Sequence, residues 1–178
     1  MNSMPGAPAA RSGTNWEVHD PNRRQHYAFR RAREDLLVDV WAEPGGDQPL
    51  HFHPALEERF EVLEGRFCLR LGWRRRLAHR GDEIVVPPGV KHSIKNVGGS
   101  AGVLRVEVHP AGELRAMLED FAEAAHAGLF TRRGLPTSLH GARHAAALLE
   151  RYRQTTVVCW PPGARRLLPA LARLLPRP

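Results

Sequence analysis

The sequence predicts an all-β fold, a barrel or sandwich of antiparallel strands, followed by a helical extension. Three observations predict it. Between residues 25 and 109 short apolar stretches recur roughly every 8–12 residues with turn residues between them, as hairpin-connected strands do. The 178-residue chain carries 16 glycines and 15 prolines, a supply of turn formers that suits many short elements. After Pro110 the apolar period changes from two to about 3.6. Three segments follow: a flexible N-terminal segment at 1–24, a β-barrel at 25–110 and a helical extension at 111–178.

Residues 1–14 are mostly Pro, Gly, Ala and Ser and are expected to form a mobile tail. DLLVDVWAE at 35–43 is rich in β-formers and stops at Pro44-Gly45-Gly46. RFEVLEG at 59–65 alternates Phe60 and Val62 with Arg59 and Glu61, then ends at Gly65. RFCLRLG at 66–72 alternates Phe67, Leu69 and Leu71 with Cys68 and Arg70 before turning at Gly72 into WRRRLAH. Cys68 therefore faces away from the apolar set, with no base beside it to make a catalytic thiol. DEIVVPPG at 82–89, KHSIKNVGG at 91–99 and GVLRVEVHP at 102–110 complete the strand-like series. Trp41, Phe52, Phe60, Phe67 and Trp73 are expected to be packing residues.

In the extension, 112–130 places Leu114, Met117, Leu118, Phe121 and Ala125 on one helical face. A loop is expected at 131–141 and a second helix at 142–154. The last segment, 163–178, carries Leu167, Leu168, Leu171, Leu174 and Leu175. Pro169 is suited to the first turn of a short helix there, one that packs on the barrel or crosses to a partner subunit.

Composition narrows the function. The chain has 42% apolar and 25% charged residues, as folded domains do, and no apolar run long enough to span a membrane. Residues 1–15 lack the basic patch and apolar core of a secretory signal, and two cysteines cannot build a disulfide framework, so the expected compartment is the cytoplasm. The net charge is +7, but the arginines are scattered in pairs and triples without interleaved aromatic residues. Neither nucleic acid nor a membrane surface is therefore the expected partner.

The segment at 45–65 is where chemistry concentrates. His51 and His53 alternate, so on a strand both imidazoles leave the same face. Glu58 follows after a proline-containing turn, and His92 follows Pro87-Pro88-Gly89 in a second segment. Three imidazoles and one carboxylate suit a divalent first-row metal. Five residues separate Gly45 from His51, four separate His53 from Glu58, and six separate Glu58 from Gly65. In the second segment, five residues separate Gly81 from Pro87, two separate Gly89 from His92, and three separate His92 from Asn96.

In these two motifs the sequence closely resembles the cupin superfamily. The 15-residue stretch between them, 66–80, is similar to that of compact single-barrel bacterial members. The resemblance implies a double-stranded β-helix, or jelly-roll, barrel, with His51, His53, Glu58 and His92 as ligands to one divalent transition metal (Fe, Mn, Ni or Zn). Glu57 is adjacent, but Glu58 shares a face with Phe60 and Val62, and that face must point inward. The motif glycines and Pro87 are expected to close turns, and Asn96 to be a structural hydrogen-bonding residue. The other histidines, at 19, 26, 79, 109, 126, 140 and 144, read as surface or local contacts.

The expected function is that of a small-molecule metalloenzyme, foremost a dioxygenase acting on an enol, aromatic or carbonyl substrate. The alternatives are a metal-dependent isomerase or cyclase, and a non-catalytic module that binds a small ligand or metal. No general acid or base is assigned; Glu64, Glu83 and Glu107 are only nearby carboxylates. Open sheet edges and the leucine-rich tail make a homodimer the expected assembly.

Overall fold

A computed structural model describes residues 17–32 and 34–159. The tail at 1–14 and the leucine-rich segment at 163–178, including Pro169, lie outside the described residues. The strands are β1 (Val18–Asp20), β2 (Gln25–Ala32), β3 (Asp35–Ala42), β4 (Asp47–Phe52), β5 (Glu57–Glu64) and β6 (Arg66–Leu71). They continue with β7 (Arg74–His79), β8 (Glu83–Val86), β9 (His92–Asn96) and β10 (Gly102–His109). Helices α1 (Leu114–His126) and α2 (Leu139–Arg151) and strand β11 (Val157–Val158) close the series.

Two antiparallel sheets face one another, ordered β1-β2-β3-β10-β5-β8 and β11-β4-β9-β6-β7. The chain changes sheet between β3 and β4, β4 and β5, β5 and β6, β7 and β8, β8 and β9, and β9 and β10, and again on reaching β11, as a jelly roll requires. The expected all-β barrel with a helical extension is what forms. Alternation does the sorting: Glu58, Phe60 and Val62 on β5, Phe67 and Leu69 on β6, and Leu104, Val106 and Val108 on β10 all point inward and are buried. Trp41 is buried as expected, but Trp73 sits on the β6–β7 turn and is 94% exposed, which corrects its assignment as a packing residue. Its position beyond the last paired residue of β6 leaves it no facing strand.

The motif glycines close turns by necessity. Gly65 has φ +90°, and a Cβ there would lie 2.8 Å from the Cα of Gly102. A Cβ on Gly102 would in turn lie 2.8 Å from the Phe67 ring. Asn96 fills its expected structural role. Its amide donates to Ala42 O (3.0 Å) and Ser100 O (2.9 Å) and accepts from Gly98 N (2.9 Å), tying the turn after β9 to β3.

The extension packs on the barrel. Leu114, Met117 and Ala125 of α1 are buried, and Leu118 and Phe121 lie partly buried against the same core. Helix α2 begins at Leu139, inside the stretch expected to be loop, because Ser138 accepts the Gly141 N–H and caps it (3.1 Å). Two pieces of strand fall outside the barrel boundaries read from sequence. Val18–Asp20 pairs with β2, and Val157–Val158 pairs with β4. Each is too short to show a period, and each is fixed by its partner strand. Among the described residues no helix is long and apolar enough to cross a membrane.

Candidate metal centre

His51 lies on β4 and pairs directly with His92 on β9, so a cross-strand pair sets two imidazoles side by side. His53 follows one residue past β4, on the same face as His51. Glu58 comes from β5 in the opposite sheet, between Val86 and Val108. The Gly89 N–H donates to His53 O (2.7 Å), holding the Pro87–Pro88–Gly89 turn, and with it His92, against the first motif. All four side chains are buried, and one donor atom from each lies within 4.8 Å of the others. Glu57 is exposed, as its place in the alternation requires.

The second nitrogen of each imidazole is engaged. Nδ1 of His51 meets Pro49 O at 2.8 Å, Nδ1 of His53 meets Thr155 O at 2.7 Å, and Nδ1 of His92 meets Val90 O at 2.9 Å. A carbonyl only accepts, so each Nδ1 carries a proton, and a ring that is neutral turns an Nε2 lone pair to the centre. The Thr156 hydroxyl lies 3.0 Å from His53 Nδ1 and shares that proton.

The inward atoms are crowded, and Glu58 Oε2 and His92 Nε2 have no hydrogen-bond partner. His51 Nε2 and His53 Nε2 are 3.2 Å apart, two lone pairs in contact when both rings are neutral. Glu58 Oε2 lies 2.8 Å from His92 Nε2 and 3.3 Å from His53 Nε2. With the proton on His92 Nδ1, its Nε2 and the Glu58 oxygen are both acceptors, and neither atom has a hydrogen-bond partner. That arrangement suits a cation, and a group of one carboxylate and three imidazoles can hold a divalent transition metal.

The electrostatics agree. Burial and the neighbouring His92 push His51 down to about 3, so it stays a neutral donor. Burial alone would raise Glu58, but His53 and His92 outweigh it and hold the carboxyl well below the usual range. Burial likewise pulls His53 down, yet the Glu58 carboxylate prevails and raises it. Glu64, Glu83 and Glu107 are all exposed, which rules out their role as bases at the centre.

A cavity of about 30 Å³ adjoins the ligands, lined by Tyr27, Phe60 and Met117 among others. Tyr27, Thr155 and Thr156 were not legible as site residues. Thr155 and Thr156 lie about a hundred residues from His53, on the return of the extension to the barrel, and no spacing rule connects them.

Residues 40–109 match the cupin domain family. A stretch of 73 residues is 30% identical to an uncharacterized protein of Methanocaldococcus jannaschii and covers 41% of this chain. The chain spans 58% of the length of that curated relative. Among solved structures, an RmlC-like cupin from Shewanella frigidimarina is 23% identical with a TM-score of 0.52, covering 61% of this chain and 96% of the other. The KdgF structure from a Halomonas species is 17% identical with a TM-score of 0.52, covering 59% and 94%. At these identities the structural likeness shows the fold.

Proposed function

We propose that this chain, which belongs to the cupin superfamily, holds one divalent first-row transition metal through His51, His53, Glu58 and His92 and acts as a dioxygenase-like enzyme on a small enol, aromatic or carbonyl substrate. The observation that carries the reading is the set of three imidazoles and one carboxylate, all buried, with one donor atom of each within 4.8 Å of the others and each ring's Nδ1 held by a carbonyl. When bound, iron in such a site supplies redox chemistry and open coordination positions for a chelating substrate. The protein's own part is to hold the three imidazoles in one tautomer through Pro49, Thr155 and Val90, to keep Glu58 ionised, and to exclude bulk water.

One observation favours this chemistry over an isomerase or cyclase. Those reactions need a side chain that moves a proton. Apart from the ligands, Tyr27 is the one titratable side chain among the described residues lining the inner cavity. Burial pushes its hydroxyl far above its usual range, and that hydroxyl donates to Gln25 Oε1 (2.8 Å).

The same reading includes a homodimer in a reducing cytoplasm. Leu77 on the outer strand β7 and Val85 on the outer strand β8 are 56% and 42% exposed, and Cys68 and Cys159 are free thiols.

The test is metal analysis of protein purified without chelator, followed by oxygen uptake with catechol- and enol-type compounds after iron loading. One metal per chain and substrate-dependent uptake are expected, both lost in His51→Ala. A chain that takes up no metal overturns the reading. Full metal occupancy with no oxygen uptake leaves the non-catalytic binding module in its place.

A further inference from the structure

Next to the metal centre lies a second, larger cavity of about 230 Å³ that the barrel alone does not make. Its floor is barrel, with His51, Tyr27 and Gln48, and its other walls come from α1, α2 and β11. Those walls are apolar: Met117 and Phe121 from α1, Leu149 from α2 and Val158 from β11. Tyr27, Gln48, His51, Met117 and Leu118 line both this cavity and the small one at the ligands, so the two spaces adjoin across those side chains. A volume somewhat below the ~300 Å³ at which pockets for drug-sized molecules begin suits a molecule of one or two rings.

Besides His51, the charged lining comes from Asp20 and Arg23 at the β1–β2 turn and from Arg133 in the loop before α2. Arg23 and Arg133 both line the cavity, and Arg23 Nη2 lies 3.2 Å from the Cβ position of Gly134, so the two arginine-bearing segments touch. Arg133 is exposed and forms no ion pair among the described residues, and Arg23 meets Asp47 only at 4.0 Å. Asp20, also in the lining, is already engaged: its Oδ1 accepts the N–H groups of Asn22 (2.9 Å) and Arg23 (3.0 Å). Two guanidinium groups with spare donors at one side of an apolar chamber suit an anionic group on an otherwise apolar molecule.

We infer that the helical extension and the barrel together form the binding pocket for a small, mainly apolar carboxylic acid, its carboxylate facing Arg23 and Arg133 and its body extending over His51. This rests on the proposed metal-dependent function and names the substrate class of that site.

The test uses the full chain with 2-naphthoic acid as probe and 2-naphthalenemethanol as its neutral counterpart, titrated calorimetrically, with metal per chain measured in each sample. The acid is expected to bind more tightly than the alcohol. Arg133→Gln is expected to weaken the acid by about tenfold, the scale of one lost charge-assisted hydrogen bond, and to leave the alcohol unchanged. Leu149→Trp, which fills the chamber, is expected to abolish binding of both at unchanged metal content. Bound acid should also slow alkylation of Cys159, which lines the cavity, and not of Cys68, which does not; this readout needs no variant. Equal binding of acid and alcohol, or acid binding that survives Leu149→Trp, overturns the inference. So does unchanged Cys159 reactivity in the metal-loaded protein saturated with acid. Acid binding and Cys159 protection in a chain that takes up no metal uphold the pocket and overturn only the metal reading.

Discussion

The hydroxyl of Thr156, 103 residues from His53 in the chain, shares the proton on that ring's Nδ1. Thr156→Val removes that hydroxyl and keeps the shape of the side chain. Metal affinity, measured by competition with a chromophoric chelator, is expected to fall by about tenfold, the lower end for loss of an outer partner of a ligating histidine. His26 is a different case. It is fully buried between the stacked ring of His19 and the edge-on ring of Trp41, and neither of its ring nitrogens has a hydrogen-bond partner. Burial lowers it to about 4, so below pH 6.5 the unfolded chain binds a proton that the folded chain refuses. Stability therefore falls with pH from 6.5 down to about 4, by about 1 kcal/mol per pH unit on average for this one group. Urea unfolding of wild type and His26→Phe between pH 6.5 and 5 should differ in slope by about that amount; parallel slopes would remove His26 as the cause.

At the scale of elements, strands that alternate were legible and strands defined only by a partner were not. Glu58, Phe60 and Val62 mark the inward face of β5 without ambiguity, and that alternation separates Glu58 from the exposed Glu57. β1 and β11 are three and two residues long, and pairing with β2 and β4 is what makes them strands. The start of α2 was misplaced because its N-terminal signal is a single capping side chain, Ser138, inside a run of turn formers. The turn between β9 and β10 depends on Asn96, whose three hydrogen bonds reach β3 and the turn itself. Asn96→Ala leaves buried backbone groups unpaired and is expected to cost about 3 kcal/mol in chemical denaturation. A cost under about 0.5 kcal/mol, the level of an ordinary surface change, would show that the turn holds without it.

For the molecule as a whole, the four candidate ligands span both sheets, so an ion held there would cross-link them. Three ligands come from the five-stranded sheet and its edge loop and the fourth from the six-stranded sheet, so a bound ion ties the two halves of the core together. An ion that binds the folded chain alone, at a free concentration about one hundred times its Kd, adds about 2.7 kcal/mol to stability. For a chain of this size that corresponds to a Tm rise of roughly 5–10 °C, reversed by chelator. Scanning calorimetry with and without the ion checks it, and an unchanged Tm at full occupancy would mean that the ligands are equally available in the unfolded chain. The proposed homodimer belongs to the same scale and rests on the open edges at β7 and β8, where Leu77 and Val85 are exposed. Sedimentation at micromolar concentration is expected to give twice the 19.9 kDa chain mass, and Leu77→Glu to reduce it to one.

Residue order was enough for the barrel, its inward faces and the four candidate donors, because period-two burial and fixed turn lengths are local properties that it records directly. It took the folded chain to reveal that the extension returns to the barrel as β11, brings Thr155 and Thr156 to His53, and walls a chamber beside His51. Those contacts join segments about a hundred residues apart through packing and single hydrogen bonds, and neither leaves a period or a spacing in the chain.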